Sequence, residues 1–173
     1  MKRIFLVGYM GSGKTTYGRL LAKAEGLEFI DTDLFIENRF HQTVGKIFEL
    51  KGEAFFRQLE RQILEEVAAY EDVVIATGGG MPCYGDNIDL MNGAGMTIYL
   101  DTPASMLLKH LQESHVDRPL LHGKSPEEML TTITEMLMQR RPFYQKARYR
   151  VNAAEGEVMP QLQALVSKLS PMK

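Results

Sequence analysis

The residues best suited to chemistry stand close to the start of the chain. Gly8-Tyr-Met-Gly11-Ser-Gly13-Lys14-Thr15 fits the pattern G-x-x-x-x-G-K-[ST]. Glycines at these positions let successive backbone N–H groups wrap a phosphate without Cβ clashes, and the helix that follows turns the positive end of its dipole toward the anion. Lys14 is placed to reach β- and γ-phosphates, and Thr15 offers a hydroxyl to Mg²⁺. Gly11, Ser12, Gly13, Lys14, Thr15 and Thr16 are therefore the expected binding set for Mg·ATP. A dinucleotide-binding turn fits worse, because it wants G-x-G-x-x-G and Thr16 stands where its third glycine belongs. The loop fixes the nucleotide end and leaves the acceptor open, since switches, motors and kinases all use it.

Further clusters of chemistry-bearing residues follow along the chain. Asp31-Thr32-Asp33 puts two carboxylates behind a short apolar run, where they could serve a ligand or cap the next helix. Phe56-Arg57-x-x-Glu60 sets an arginine and a glutamate at i, i+3 on one helix flank, which taken alone reads as a surface ion pair. Thr77-Gly78-Gly79-Gly80 is either a tight turn or a surface that backbone can bring close to a ligand. Arg118-Pro-Leu-Leu and Arg140-x-Pro142-x-Tyr144 complete the set.

Positioning these groups requires a rigid scaffold, and the hydrophobic pattern supplies one. Short aliphatic runs at Arg3 to Val7, Glu28 to Ile30, Val73 to Ala76, Met96 to Leu100 and Tyr149 to Val151 read as strands. Helical spacing of apolar residues covers Lys14 to Ala24, Glu53 to Ala69, Ala104 to Gln112, Pro126 to Gln139 and Val158 to Leu169. Strands alternating with helices predict an α/β protein with a parallel sheet covered on both faces. The stretch Ser114 to Ser125 has no periodicity and reads as a loop suited to a lid. A length of 173 residues favours one domain over 1–173.

In order and spacing, G-x-x-G-[ST]-G-K-[ST], D-T-D, F-R-x-x-E, G-G-G, R-P-L-L and R-x-P-x-Y resemble the shikimate kinases, from Ile4 to about Tyr149. The resemblance implies a nucleoside-monophosphate-kinase-like, three-layer fold with strand order 2-3-1-4-5. It also implies a substrate-binding helical segment at about 33–61 and a lid at about 114–125. The implied activity is transfer of the γ-phosphoryl group of ATP to the 3-hydroxyl of shikimate, on the route to chorismate. By the same resemblance Arg57 and Arg140 clamp the substrate carboxylate, and Glu60 holds Arg57. Asp33 orients and deprotonates the attacking hydroxyl, and Asp31 acts through Mg²⁺-bound water. Gly79 and Gly80 present N–H groups to substrate, and the lid residue Arg118 closes over the transferring phosphate. Lys14, Asp33 and Arg118 are thus the expected catalytic residues. A monomer is expected.

The rest of the composition narrows the alternatives. Twenty basic residues nearly balance 22 acidic ones, so no cationic field argues for nucleic acid or an anionic membrane. Cys83, the one cysteine, cannot form an internal disulfide and reads as a small buried hydrophobe in a reducing, cytoplasmic setting. The first apolar run is too short for a signal or membrane segment. His41, His110, His115 and His122 lack metal-ligand spacing and read as solvated side chains, while Met129, Met136 and Met138 read as core filler. Another small-metabolite kinase of the same fold, for gluconate or a nucleotide, is the second reading. A non-catalytic ATP-binding module is the third. Two departures concern the adenine side: Lys109 and His110 stand where the family usually carries an arginine, and Val151-Asn152-Ala153 replaces Val-Asp-Thr.

Overall fold

The computed structural model describes residues 1–114 and 121–168. Within them five parallel strands form one sheet in the order β2-β3-β1-β4-β5. The strands are β1 (Arg3–Val7), β2 (Glu28–Asp31), β3 (Val73–Ala76), β4 (Met96–Asp101) and β5 (Tyr149–Asn152). Between them run α1 (Lys14–Glu25), α2 (Thr32–Phe40), α3 (Val44–Lys51), α4 (Glu53–Val67), α5 (Asn87–Ala94), α6 (Ala104–Glu113), α7 (Pro126–Tyr144) and α8 (Val158–Ser167).

Alternation along β1 builds both layers of core. Phe5 and Val7 face one side and join Val73, Ile75 and Tyr99 beneath α4, α5, α6 and α7. Ile4 and Leu6 face the other side, with Val74, Ile98 and Val151 beneath α1 and α8. A strand buried on both faces must be apolar at every position, which is why these runs are continuous rather than alternating. β1 sits centrally, in register with β3 (Leu6 opposite Ala76) and with β4 (Leu6 opposite Ile98). The phosphate-binding loop therefore leaves the sheet between its neighbours, at the carboxyl edge where ligands bind in open α/β sheets.

Three expectations are corrected. The helix read as Pro126 to Gln139 continues to Tyr144 with Pro142 inside it, so Arg140 and Tyr144 belong to α7 rather than following it. Proline removes one i to i−4 bond, but Pro142 and Met138 both lie on the exposed side, where water can satisfy the freed carbonyl. Met138 is 66% exposed and not core filler, whereas Met129 and Met136 pack against the core. The short helix α5, between β3 and β4, has no counterpart in the periodicity reading.

Candidate active site

The phosphate-binding loop has the conformation its glycines allow. Gly11 and Gly13 adopt φ +83° and +91°, a region that side chains with a Cβ rarely enter. Gly13 then ends the loop as the N-cap of α1. The Lys14 Nζ donates to the carbonyls of Gly8 at 2.7 Å and Tyr9 at 3.0 Å, so the ammonium is held across the loop's mouth. Ser12 Oγ is buried without a hydrogen-bond partner among the described residues, as suits an atom whose partner is a ligand. Thr16 is exposed in the first turn of α1.

The metal-side residues meet across the crevice. The Thr15 hydroxyl donates to Asp31 Oδ2 at 2.5 Å, while Asp31 Oδ1 accepts from the N–H groups of Asp33 and Leu34. Asp31 is thus the N-cap of α2, and the capping role left open for Asp33 belongs to its neighbour. A hydroxyl that can bind Mg²⁺ and a carboxylate that can accept from water on it are groups suited to this ion. The loop and this pair fit Mg·ATP.

The acceptor side is organised by the glycine turn after β3. A Cβ on Gly78 would fall 2.8 Å from Asp33 Oδ1 and 3.1 Å from Glu60 Oε2. One on Gly79 would lie 3.2 Å from Arg140 Nη1 and 3.5 Å from the Met10 nitrogen of the phosphate-binding loop. One on Gly80 would stand 2.5 Å from Arg57 Nη1. A side chain at any of the three would displace the charged groups that now approach the backbone, and the turn gathers Asp33, Arg57, Glu60 and Arg140 beside the loop.

Several residues whose part the sequence reading left unassigned hold this turn. Thr32, fully buried, accepts from the Gly78 N–H at 2.9 Å, and the Thr77 hydroxyl donates to the Leu6 carbonyl at 3.0 Å. The Tyr144 hydroxyl donates to the Gly79 carbonyl at 2.6 Å. Burial pushes this phenol upward, so it stays a donor. Thr32 and Tyr144 lie within quoted motifs, and that membership is the signal that could have found them.

Electrostatics tie Arg57 to Glu60. Arg57 Nη1 donates to Glu60 Oε1 at 2.5 Å, and Glu60 is 2% exposed. Burial works against the guanidinium charge, and the Glu60 carboxylate together with the Tyr84 phenol more than offsets that, raising Arg57 above its usual value. Burial pushes the Glu60 carboxyl up to about 7, with Arg57 pulling it back. Arg140 packs its guanidinium over the Tyr9 ring, 5.6 Å from the centroid. Cys83 lies close by, but burial pushes its thiol up to about 11, which leaves it protonated and a poor nucleophile.

At the two places where the sequence departs from the family pattern, the contacts differ from the sequence reading. His110 is half-buried rather than solvated, and its Nδ1–H donates to the Gly11 carbonyl at 2.7 Å, joining α6 to the phosphate-binding loop. A carbonyl can only accept, so the proton must sit on that nitrogen. Asn152 Oδ1 accepts from the Ala154 N–H at 3.0 Å, and Gln161 Nε2 donates to the carbonyls of Asn152, Gly156 and Glu157. The turn after β5 is shaped by these amides. His41 is exposed at the end of α2, and His122 is exposed as well. Arg118, His115 and the rest of the expected lid from 115 to 120 lie outside the described residues.

A phosphate-binding loop on the central strand of a 2-3-1-4-5 sheet, with a cluster of charged side chains beside it, defines a P-loop kinase for small molecules. A family model described as shikimate kinase matches residues 10–170, and the shikimate kinase of Phocaeicola vulgatus is 50% identical over 169 residues, covering 98% of this chain and 97% of its own. The chain belongs to the shikimate kinase family. The crystal structure of shikimate kinase from Bacteroides thetaiotaomicron superposes with a TM-score of 0.91 at 45% identity, covering 96% of this chain and 98% of that one. Shikimate kinase from Acinetobacter baumannii, solved in complex with shikimate, gives 0.83 at 36% identity, covering 98% and 93%.

Proposed function

We propose that this protein transfers the γ-phosphoryl group of ATP to the 3-hydroxyl of shikimate, giving shikimate 3-phosphate and ADP. The observation that carries the assignment to this site is Gly79. Its Cβ position lies within 4 Å of both an acceptor-side arginine and the backbone of the phosphate-binding loop, so the two halves of the site share one wall. In phosphoryl transfer the protein contributes chiefly position and charge, and each group in the cluster has a task of that kind.

Lys14 leaves its loop carbonyls for the β- and γ-phosphates, and Gly11, Ser12, Gly13, Thr15 and Thr16 line the phosphate path. Mg²⁺ when bound would neutralise phosphate charge, and Thr15 and Asp31 are the residues that would hold it, Asp31 through bound water. Asp33 accepts the proton of the attacking hydroxyl. Arg57, held by Glu60, and Arg140 bind the shikimate carboxylate, while Gly79 and Gly80 offer N–H groups to substrate. Arg118 closes over the transferring group, an assignment that rests on its motif. The chain acts as a single kinase domain over 1–173, with its substrate-binding helical segment at about 33–61 and its lid at about 114–125.

A monomeric, cytoplasmic enzyme without nucleic-acid or membrane partners completes the reading. The near-balance of charge supports the part about nucleic acid and anionic membranes, and no helix among the described residues is long and apolar enough to cross a membrane.

The assignment of the two arginines is tested by Arg57→Lys and Arg140→Lys. Lysine keeps the charge and loses the planar fork that matches a carboxylate. A charge-assisted bond contributes about 1.5–3 kcal/mol, so the KM for shikimate should rise roughly ten- to a hundred-fold. Isothermal titration of ATP without shikimate should be nearly unchanged. Equal weakening of ATP binding would move these arginines to the nucleotide side.

A further inference from the structure

We propose that Tyr84 is a positioning residue for substrate binding, acting by holding the Arg57 guanidinium flat against the Gly80 backbone. The proposal rests on the reading that Arg57 binds the substrate carboxylate. An arginine is a long chain with several rotatable bonds, and a planar clamp is useful only if its plane is fixed before substrate arrives. Four contacts fix it here. Glu60 holds one edge at 2.5 Å, and Glu53 Oε1 lies 3.7 Å from Nε. Gly80 is so close that a Cβ there would stand 2.5 Å from Nη1. The Tyr84 ring centroid lies 4.1 Å from Cζ, whereas Phe56 is more distant at 5.5 Å.

Tyr84 is not an ordinary core aromatic. It is 37% exposed, lies outside both hydrophobic clusters, and follows the short turn Met81–Cys83 in extended backbone. Its hydroxyl donates to Glu53, a carboxylate that also faces Arg57, so the ring is tied at its far end to the helix that carries the arginine. The negative face of an aromatic ring attracts a guanidinium, and a stacked pair restricts it to one plane. Glu53, Arg57, Glu60 and Tyr84 thus form one unit, to which α4 and the turn after β3 both contribute.

Steady-state kinetics of Tyr84→Ala, Tyr84→Phe, Arg57→Lys and the double variant Tyr84→Ala/Arg57→Lys decide the question, with ATP binding measured alongside. Tyr84→Ala should raise the KM for shikimate roughly five-fold, the effect of losing one partly exposed cation–π contact, with little change in kcat or in ATP affinity. Tyr84→Phe keeps the ring and should recover most of that loss. In the Arg57→Lys background, Tyr84→Ala should add almost nothing, because the flat cation it serves is gone. A normal KM in Tyr84→Ala while Arg57→Lys is impaired would overturn the proposal and leave the Arg57 assignment standing. A normal KM in Arg57→Lys itself would overturn both. A loss equal in Tyr84→Phe and Tyr84→Ala would overturn the stacking role of the ring.

Discussion

Asp33→Asn should lose roughly 10²–10⁴ in kcat at saturating shikimate, the effect of removing a positioned base, while its thermal melt stays within a few degrees of the parent. The two halves of this expectation have separate causes. Asparagine is neither anionic nor basic, so it can orient a hydroxyl but cannot take its proton. The melt is protected because the cap of α2 is Asp31, which accepts from the Asp33 and Leu34 N–H groups through its own side chain. Asp33 contributes only its N–H to that cap, and the amide substitution keeps the backbone intact. Asp33 also faces the buried Glu60, so replacing it with a neutral amide removes a like charge. That change gives no reason for the fold to weaken. The measurement is kcat of purified protein beside its melting curve, and full activity with an unchanged melt would end the catalytic assignment of Asp33.

Lys14→Met should leave a folded protein and reduce turnover by roughly 10²–10³, the range found when one donor to developing transition-state charge is removed. Methionine matches the length and apolar stem of lysine and lacks the ammonium. The cost to the fold includes the hydrogen bonds to the Gly8 and Tyr9 carbonyls, each contributing about 1 kcal/mol. The cost to the reaction is larger, since the ammonium that leaves these carbonyls for the β- and γ-phosphates is the group that meets their charge. Near-normal turnover in a folded Lys14→Met protein would contradict the nucleotide assignment of the loop.

What could be read from the sequence follows from how local the determining physics is. β1 and β3 were legible to the residue because strands buried on both faces are continuous apolar runs. The phosphate-binding loop was legible because its glycines answer to backbone dihedrals. α5 was not, since eight residues containing Gly93 give too little periodicity to stand out. The end of α7 was misplaced because Pro142 is a stop signal unless its missing bond falls on an exposed face, which depends on the whole fold. His110 was read as solvated because nothing in a sequence says that the last turn of α6 lies against Gly11. In the acceptor site the residue types were legible from their motifs. Their mutual geometry was not, for the three glycines matter through what approaches them from α2, α4 and α7. Tyr84 belongs to no quoted motif, and its place over Arg57 exists only once the turn after β3 is folded against α4.

The central claim is that the charged cluster beside the phosphate-binding loop takes shikimate as its acceptor. Its most direct test is coupled ADP release with Mg·ATP and shikimate, gluconate or nucleoside monophosphates offered separately at equal concentration. Two arginines and two carboxylates around a glycine turn suit a carboxylated polyol, and membership of the shikimate kinase family separates shikimate from gluconate within that class, so rapid turnover is expected with shikimate alone. Faster ADP release with gluconate or a nucleoside monophosphate than with shikimate would contradict the account.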